Sequence, residues 1–381
     1  MKLPIYLDYQ ATTPVDPRVL EAMLPYFSET FGNAASRSHS FGWAAEEAVT
    51  KARKQISRLI GASPKEIIFT SGSTEAINLV LKGAAEMYKQ KGKHIITSLV
   101  EHKAVLDTCK HLEKQGYEVT YLKPDKTGRV SVAQVAEAIR DDTLMVALLW
   151  ASNEIGTLMP VREIGALCHE KGVLFFLDAT QAVGKVPVDV AADNVDLLCL
   201  SAHKIYGPKG VGCLYVRRGT ALAPLVTGGS QERNRRAGTV NVAGVVGFGA
   251  AAARARARLE TDAVRLAALR DRLEARLLSI PGASRNGADP RLPNTTNVSF
   301  ESTEAEGLVM ALDLAGVAVS TGAACAAGGT EPSHVLRAMG FPPERVESSL
   351  RLSLGRSTTE EQVDRAAGIV RDCVARQRSA P

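Results

Sequence analysis

The sequence lacks several features that would assign it to a specialised class of protein. It has no run of about 18 uncharged apolar residues, as a membrane-spanning helix requires, and its N-terminus, MKLPIYLDYQ, has no apolar stretch typical of a signal peptide. Only six cysteines occur in 381 residues, and no two form a CxxC pair. This scarcity argues against a disulfide framework and against a zinc site. We therefore expect a cytoplasmic protein with no metal and no membrane contact.

An excess of one charge is also missing. The 46 lysines and arginines nearly balance 41 aspartates and glutamates, and both signs are mixed along the chain. We therefore expect no specific nucleic-acid binding. One cluster, Arg233, Arg235 and Arg236, has the charge to meet a phosphate, although such a cluster is more often a solvated loop. The length suits two domains, one of them large enough for a buried sheet.

Short β-rich apolar runs alternate with amphipathic helical patterns between about residues 64 and 217. Two of the runs, LMVALLW and VLFFL, are apolar throughout, which is typical of strands covered on both faces. The alternation predicts an α/β fold with a mostly parallel central sheet and helices on both faces. The predicted strands are residues 66–70, 94–99, 118–122, 144–150, 173–177, 197–200 and 211–216.

The pattern changes after Thr239. Two long helices are predicted at 240–259 and 261–279, with a break near Glu260. A smaller α+β unit follows, and its last helix opens with Thr358 and Glu361 in capping-box spacing. Its other predicted elements are strands at 295–300 and 350–354 and helices at 305–314 and 332–339. We expect a large domain over residues 14–258 and a small domain formed by 1–13 and 259–381.

Two reactive side chains follow buried strands, at the sheet edge where open α/β proteins bind ligands. Asp178 ends VLFFLD, and Lys204 stands in SAHKIYGPKG after the run LLCL. Asp178 is interpreted as a helix N-cap, as half of an internal salt bridge, or as the partner of a protonated pyridine nitrogen that Gln181 also reaches. Most lysines are solvated, but a desolvated one among cations can form a Schiff base. We favour that role for Lys204.

A candidate phosphate site lies in FTSGSTEAINLV, where a strand passes into a helix through Ser71, Gly72, Ser73 and Thr74. Free backbone N–H groups at the positive end of a helix bind anions. Ordinary N-capping by Ser73 or Thr74 explains the same pattern. His102, at the start of a later helix, either covers a planar cofactor and transfers protons or is structural.

The motifs together resemble those of one family, the cysteine desulfurases of the NifS/IscS type within the fold-type I pyridoxal-phosphate enzymes. The matching segments, in chain order, are YLDYQATTPVDP, FGNAASRSH, FTSGSTEAINL, SLVEHKAVLDT, NEIG, LDATQAVGK, SAHKIYGPKG, GGSQERNRRAGT, TGAACAAGGTEPSHVLRAMG and SLRLSLGR. The resemblance implies a homodimeric enzyme that takes sulfur from L-cysteine. The products would be L-alanine and a persulfide that passes to an acceptor for iron-sulfur assembly or tRNA thiolation.

The resemblance also implies a role for each matched residue. Lys204 would bind the cofactor and act as base, Asp178 would pair with the pyridine nitrogen, and Gln181 would bond the ring oxygen. His102 would stack on the ring and carry protons. The remaining cofactor contacts would come from Ser73, Thr74, Asn153, Ser201 and His203, with Thr239 from the partner subunit. The substrate would be bound by Arg351, Asn153 and Asn33.

Arg351 would clamp the substrate carboxylate because a guanidinium fork matches a carboxylate. An arginine in such a strand is otherwise most often part of a salt bridge at the rim.

Cys325 stands at the position of the family's sulfur acceptor, within TGAACAAGG. Its small neighbours would let it move, and ten extended residues, 321–330, reach on the order of 30 Å. A lone cysteine is more commonly an inert buried thiol. The chain departs from the family's usual pattern at Gln10, Ser152, Ala202 and Ala323. It also ends at Pro381, whereas the resemblance implies a further tail, after the last helix, that docks the scaffold protein.

Three other functions compete with desulfuration. A class V aminotransferase or a selenocysteine lyase would share Lys204 and Asp178, but an aminotransferase has no use for Cys325. An inactive relative that only binds a partner protein or tRNA would have no physical reason to keep a buried carboxylate and amine.

Overall fold

The fold is described from a computed structural model that covers residues 4–321 and 332–379. Its strands are β1 (Ile5–Tyr6), β2 (Ile67–Thr70), β3 (His94–Ser98), β4 (Glu118–Leu122), β5 (Thr143–Leu149), β6 (Leu174–Asp178), β7 (Leu197–Ser201), β8 (Gly212–Val216), β9 (Ala283–Asn286), β10 (Thr295–Phe300), β11 (Val317–Ala318) and β12 (Ser349–Ser353). Each strand predicted for the first half of the chain is present, with ends within one residue of the prediction.

Helices fill the intervals between the strands. They are α1 (Pro17–Met23), α2 (Pro25–Ser28), α3 (Ser40–Leu59), α4 (Ser73–Tyr88), α5 (Lys103–Glu113), α6 (Val132–Ala138), α7 (Val161–Lys171), α8 (Gln231–Asn234), α9 (Val242–Leu278), α10 (Ala305–Leu314), α11 (His334–Ala338), α12 (Pro343–Glu347) and α13 (Glu360–Ser379). None of these helices is both long and apolar enough to cross a bilayer.

The central sheet has seven strands in the order β2-β8-β7-β6-β5-β3-β4. Only β8 runs antiparallel to its neighbours, whereas β7, β6, β5, β3 and β4 are mutually parallel. Every residue of β5 and of β7 is buried, because apolar side chains on both faces of the sheet are covered by helices. The α/β class with a mostly parallel sheet, predicted from the alternating pattern, is confirmed.

A second, three-stranded antiparallel sheet has the order β12-β10-β9. An apolar cluster beside it joins Leu7 near the N-terminus, Leu273 of α9 and Val370 of α13. The cluster agrees with a small unit built from both ends of the chain, and we keep the division into 14–258 and 1–13 with 259–381 as a proposal. The proposed boundary, between residues 258 and 259, lies inside α9, and the helix is continuous across it.

Two details of the sequence prediction are wrong. Helix α9 continues through Glu260 without a break, because residues 250–278 contain no glycine or proline and Arg258 pairs with Asp262 one turn later, at 3.0 Å. The capping box of the last helix lies one residue later than predicted. Thr359 and Gln362 exchange the two capping hydrogen bonds, at 3.1 and 3.2 Å, whereas the Thr358 hydroxyl accepts from the N–H of Gly355.

Candidate active site

A cavity of about 520 Å³ opens where β5, β6 and β7 end. Its size is in the range of pockets that bind small ligands. Ten of the residues singled out in the sequence line it: Ser73, Thr74, His102, Asn153, Asp178, Gln181, Ser201, His203, Lys204 and Arg351. Asn33 and Thr239 are exposed and do not line it, and Cys325 lies outside the described residues. The fold therefore gathers most of the predicted site at one edge of the sheet.

Asp178 is the last residue of β6 and is only 8% exposed. One of its oxygens accepts from the N–H of Thr180 at 3.0 Å and from the thiol of Cys199 at 3.4 Å. Burial, followed by the effect of Asp178, raises the pKa of Cys199 well above its ordinary value, so the thiol keeps its proton. Within the described chain no lysine, arginine or histidine forms an ion pair with Asp178. The internal salt bridge considered for it is therefore absent there.

Lys204 ends a short 3₁₀ turn, Ala202–Lys204, directly after β7. Its amine donates to two backbone carbonyls of the N-terminal segment, those of Gln10 at 2.6 Å and Ala11 at 2.8 Å. The turn is compact because Gly207 packs against Ala202, where any added Cβ would lie 2.9 Å from the alanine side chain. Lys204 is therefore held inside the cavity, not solvated at the surface.

Helix α4 begins beside the cavity with an uncapped N-terminus. Gly72 is its N-cap residue and supplies no side-chain hydrogen bond, while the Ser73 hydroxyl bonds Thr180 at 2.6 Å. Capping by Ser73, the alternative to a phosphate site, is therefore not what the structure contains. The first N–H groups of such a helix are positively polarised and suit an anion, and Thr74 and Ser201 line the same region.

The two histidines of the cavity differ in their surroundings. Burial, together with Lys204, Lys209 and Lys185, lowers the pKa of His203 to about 4, so this ring is neutral near pH 7 and bonds the Thr12 hydroxyl at 3.1 Å. His102 caps α5, and its Nδ1 accepts from the N–H of Ala104 at 3.1 Å.

Arg351 is buried in β12 and only 1% exposed. Its guanidinium donates to Asp8 at 2.7 Å and to the carbonyl of Asn153 at 3.0 Å. Its Nε is buried without a hydrogen-bond partner among the described residues. Arg351 does form a salt bridge, with Asp8, but the guanidinium is buried and lines the cavity, so the alternative that placed this salt bridge at the rim is wrong in its location.

The arginine cluster is neither a solvated loop nor part of the cavity lining. Arg236 pairs with Glu75 at 2.9 Å, Arg233 donates to the carbonyl of Ile67, and Arg235 donates to that of Thr220. These three guanidinium groups therefore bind their loop to residues of α4, of β2 and of the segment after β8.

Sequence reasoning missed three residues of the site. Asp8 and Gln10 lie in the N-terminal motif, and Lys185 lies in LDATQAVGK. Lys185 donates to the side-chain oxygens of Gln10 at 2.6 Å and Gln181 at 2.7 Å. The available signal was a lysine seven residues after Asp178 in the same matched motif, but its spacing alone does not reveal a contact with residue 10.

Comparison with known proteins identifies the family. The class-V aminotransferase family model matches residues 5–366. The chain belongs to the class-V aminotransferase family. The chain is 54% identical to a protein described as cysteine desulfurase IscS from Anaeromyxobacter dehalogenans (strain 2CP-C), over 96% of this chain and 91% of that protein.

Two solved structures have the same fold. A NifS-like protein superimposes with a TM-score of 0.92 at 37% identity, covering 98% of this chain and all of that one. A structure described as SspA in complex with cysteine superimposes with a TM-score of 0.82 at 38% identity, covering 92% and 98% of the two chains. The family predicted from the motifs is confirmed.

Enzymes of the class-V aminotransferase family depend on pyridoxal phosphate, and the cavity has the groups that this cofactor needs. Asp178 is a buried carboxylate without a described cationic partner, Lys204 supplies an amine, and α4 supplies uncapped N–H groups. The side-chain nitrogen of Gln10 and the Nε of Arg351 are buried donors without described partners. The predicted cofactor is confirmed by the family, and the residues present fit it.

Proposed function

We propose that this enzyme is a cysteine desulfurase that converts L-cysteine to L-alanine and passes the sulfur to Cys325. The observation that carries the proposal is the 54% identity to a curated cysteine desulfurase over 96% of the chain. The cavity supports it, because an amine, a carboxylate and a buried guanidinium all line one space.

Each side chain has a task in this proposal. Pyridoxal phosphate, when bound, supplies an electron sink for the pair released at the substrate α-carbon. Lys204 holds the cofactor through its amine and then moves the α-proton. Asp178 would bind the pyridine nitrogen of the cofactor and would stabilise a positive charge there. Ser73, Thr74, Ser201 and His203, with the start of α4, hold the phosphate.

The same cavity binds the substrate. Arg351 and Asn153 bind its carboxylate, with Arg351 already held by Asp8 and by the Asn153 carbonyl. His102, which caps α5 through its Nδ1 and lines the cavity, carries a proton near the ring.

Cys325 receives the sulfur in the proposed reaction. Its thiolate attacks the substrate sulfur, a new S–S bond forms, and the bond between the substrate Cβ and sulfur breaks. The electrons of the broken bond return to the carbon fragment, which is protonated to give alanine. The persulfide then passes to an acceptor protein of iron-sulfur assembly or tRNA thiolation in the cytoplasm.

A second copy of the chain is proposed to complete the site. A segment from α1 to α3 exposes large apolar side chains: Leu20, Leu24, Phe27, Phe31, Phe41 and Trp43 are 46 to 62% exposed. Exposed apolar groups of this number favour a protein partner. Thr239 is exposed three residues after Arg236, which binds the cavity residue Glu75. In the proposed homodimer the partner subunit's Thr239 binds the phosphate.

The experiment is to add L-cysteine to the purified, cofactor-loaded enzyme and to measure alanine and sulfide with and without a reductant. Wild type is expected to form alanine and, with reductant, sulfide. Cys325→Ser is expected to keep its yellow colour and to lose persulfide formation. Unchanged sulfide release from Cys325→Ser would reject the nucleophile and favour a lyase. Absence of alanine from wild type would reject desulfuration.

A further inference from the structure

Gln10 connects the two halves of the cavity through its backbone. Its carbonyl accepts from Lys204 at 2.6 Å and from the side-chain nitrogen of Gln181 at 3.0 Å. Its N–H donates to the hydroxyl of Ser353 at 2.9 Å, and Ser353 is two residues after Arg351 on β12. The position of Gln10 therefore affects both the proposed cofactor lysine and the strand that carries the proposed substrate arginine.

Lys185 holds Gln10 from the side that does not line the cavity. Its amine donates to the side-chain oxygens of Gln10 at 2.6 Å and Gln181 at 2.7 Å. Both glutamines are buried, at 1% and 6% exposure. Among the described residues, Lys185 has no carboxylate partner. Because two amide oxygens converge on one amine, Lys185 fixes the two side chains relative to each other.

The surroundings of Lys185 disfavour the charged form of its amine. Burial, then the nearby Lys204 and Arg351, lower its pKa well below the ordinary value. A buried amine beside two other cations is costly to keep. An apolar side chain at this position would avoid that cost. The amine instead makes two hydrogen bonds to glutamines of the site, and we take these bonds as the reason for a lysine here.

We propose that Lys185 is a positioning residue for Lys204, acting through Gln10 and Gln181. It donates to both glutamine side chains and thereby fixes the carbonyl of Gln10, against which the Lys204 amine lies. Lys185 does not line the cavity, so its assigned role is to position Lys204 and not to react. The inference rests on the proposed function, because it assigns a partner to the lysine that holds the cofactor.

Replacing Lys185 by methionine keeps most of the side-chain volume and removes the donor. Two buried oxygens then lose their partner, and the Gln10 side chain, whose nitrogen is already without a described partner, loses its fixed orientation. Residues 8–12 are expected to become more mobile, and the Lys204 amine is expected to occupy its present position for a smaller fraction of the time.

The test compares wild type, Lys185→Met, Lys185→Gln and Lys82→Met. Lys185→Gln keeps a neutral donor and is expected to recover part of the effect. Lys82, on α4, is partly exposed as a whole residue, as Lys185 is, and lies away from the cavity lining, so it serves as the control. Cofactor is removed from each enzyme, pyridoxal phosphate is added back, and borohydride-trapped adduct on Lys204 is measured against time by peptide mass mapping.

We expect Lys185→Met to form the Lys204 adduct about tenfold more slowly than wild type, with Lys185→Gln in between and Lys82→Met unchanged. Backbone amides of residues 8–12 should exchange with deuterium about tenfold faster in Lys185→Met, and kcat should fall more than KM for cysteine rises. Unchanged thermal unfolding and unchanged exchange outside the segment would exclude a general folding defect.

The inference would be overturned if folded Lys185→Met formed the adduct at the wild-type rate, or if Lys185→Gln were no better than Lys185→Met. Those outcomes leave the proposed function intact. Failure of wild type to form any adduct on Lys204 would instead reject the cofactor role of that lysine.

Discussion

The cavity has two sides that are built differently. The strand-end side consists of Asp178 at the end of β6 and of residues 201–204 after β7. The N-terminal side consists of residues 8–12, which contact Lys204, Lys185 and Arg351. The strand-end side takes its position from the sheet itself, whereas the N-terminal side is held by a few hydrogen bonds to distant residues.

The difference indicates how the work of the site is divided. Side chains at strand ends are placed by the central sheet and, in the proposed function, supply the reacting groups. The N-terminal segment supplies mostly backbone carbonyls and the carboxylate of Asp8, which orient the amine and the guanidinium. Changes on the strand-end side should therefore abolish chemistry, and changes on the N-terminal side should weaken it.

The largest effect is expected for Lys204→Ala on the strand-end side. Without the amine, the enzyme loses both its attachment to the cofactor and its base at the α-carbon. We expect the rate of alanine formation to fall at least about 1,000-fold, measured under saturating cysteine and pyridoxal phosphate. Lys82→Ala is the control. Turnover by Lys204→Ala near the wild-type rate would remove the assignment of this lysine.

A smaller effect is expected for Arg351→Lys, which tests the contact of the N-terminal side with β12. Lysine keeps the charge near Asp8 but cannot reproduce the planar fork. KM for cysteine should rise about tenfold or more while kcat changes less, as measured by steady-state kinetics. The exposed Arg337→Lys provides the comparison. An unchanged KM would show that the carboxylate of the substrate is bound elsewhere.

The smallest effect concerns stability and His203. Its pKa of about 4 lies below the ordinary 6.5, so the unfolded chain binds a proton at higher pH than the folded chain does. The folded state therefore loses free energy of unfolding as the pH falls from about 6.5 to about 4. Allowing for partial exposure, the loss from this group is about 1 to 2 kcal/mol.

His203→Gln should show a correspondingly flatter dependence of stability on pH. Urea unfolding of the cofactor-free enzyme at pH 4.5 and pH 7 measures it. Equal pH dependence in wild type and variant would show that the ring is not held neutral by its surroundings.

Most of the strand-end side was predictable from the sequence. Apolar runs such as LMVALLW locate buried strands, and the polar residue that ends a run is then placed at the sheet edge. Asp178 and Lys204 were assigned in this way, and both line the cavity. The resemblance to a known family added Arg351, which no local pattern would place in the site, and it favoured the cofactor-covering role already considered for His102.

The N-terminal side was less predictable, because its contacts join residues far apart in sequence. Lys185 and Gln10 are separated by 175 positions. The Lys204 amine donates to backbone carbonyls, which every residue type has, so the sequence does not show which residues accept from it. The break expected in α9 near Glu260 was wrong for the opposite reason. The local pattern near Glu260 was interpreted as a helix boundary, although an ion pair within the helix, between Arg258 and Asp262, spans that position.

The most direct test of the account is the position of the cofactor. Purified enzyme is loaded with pyridoxal phosphate, reduced with borohydride and digested, and the modified peptide is identified by mass spectrometry. The account predicts one pyridoxyl group per chain, on Lys204. Modification of Lys185 or of a surface lysine instead, or no modification at all, would contradict it.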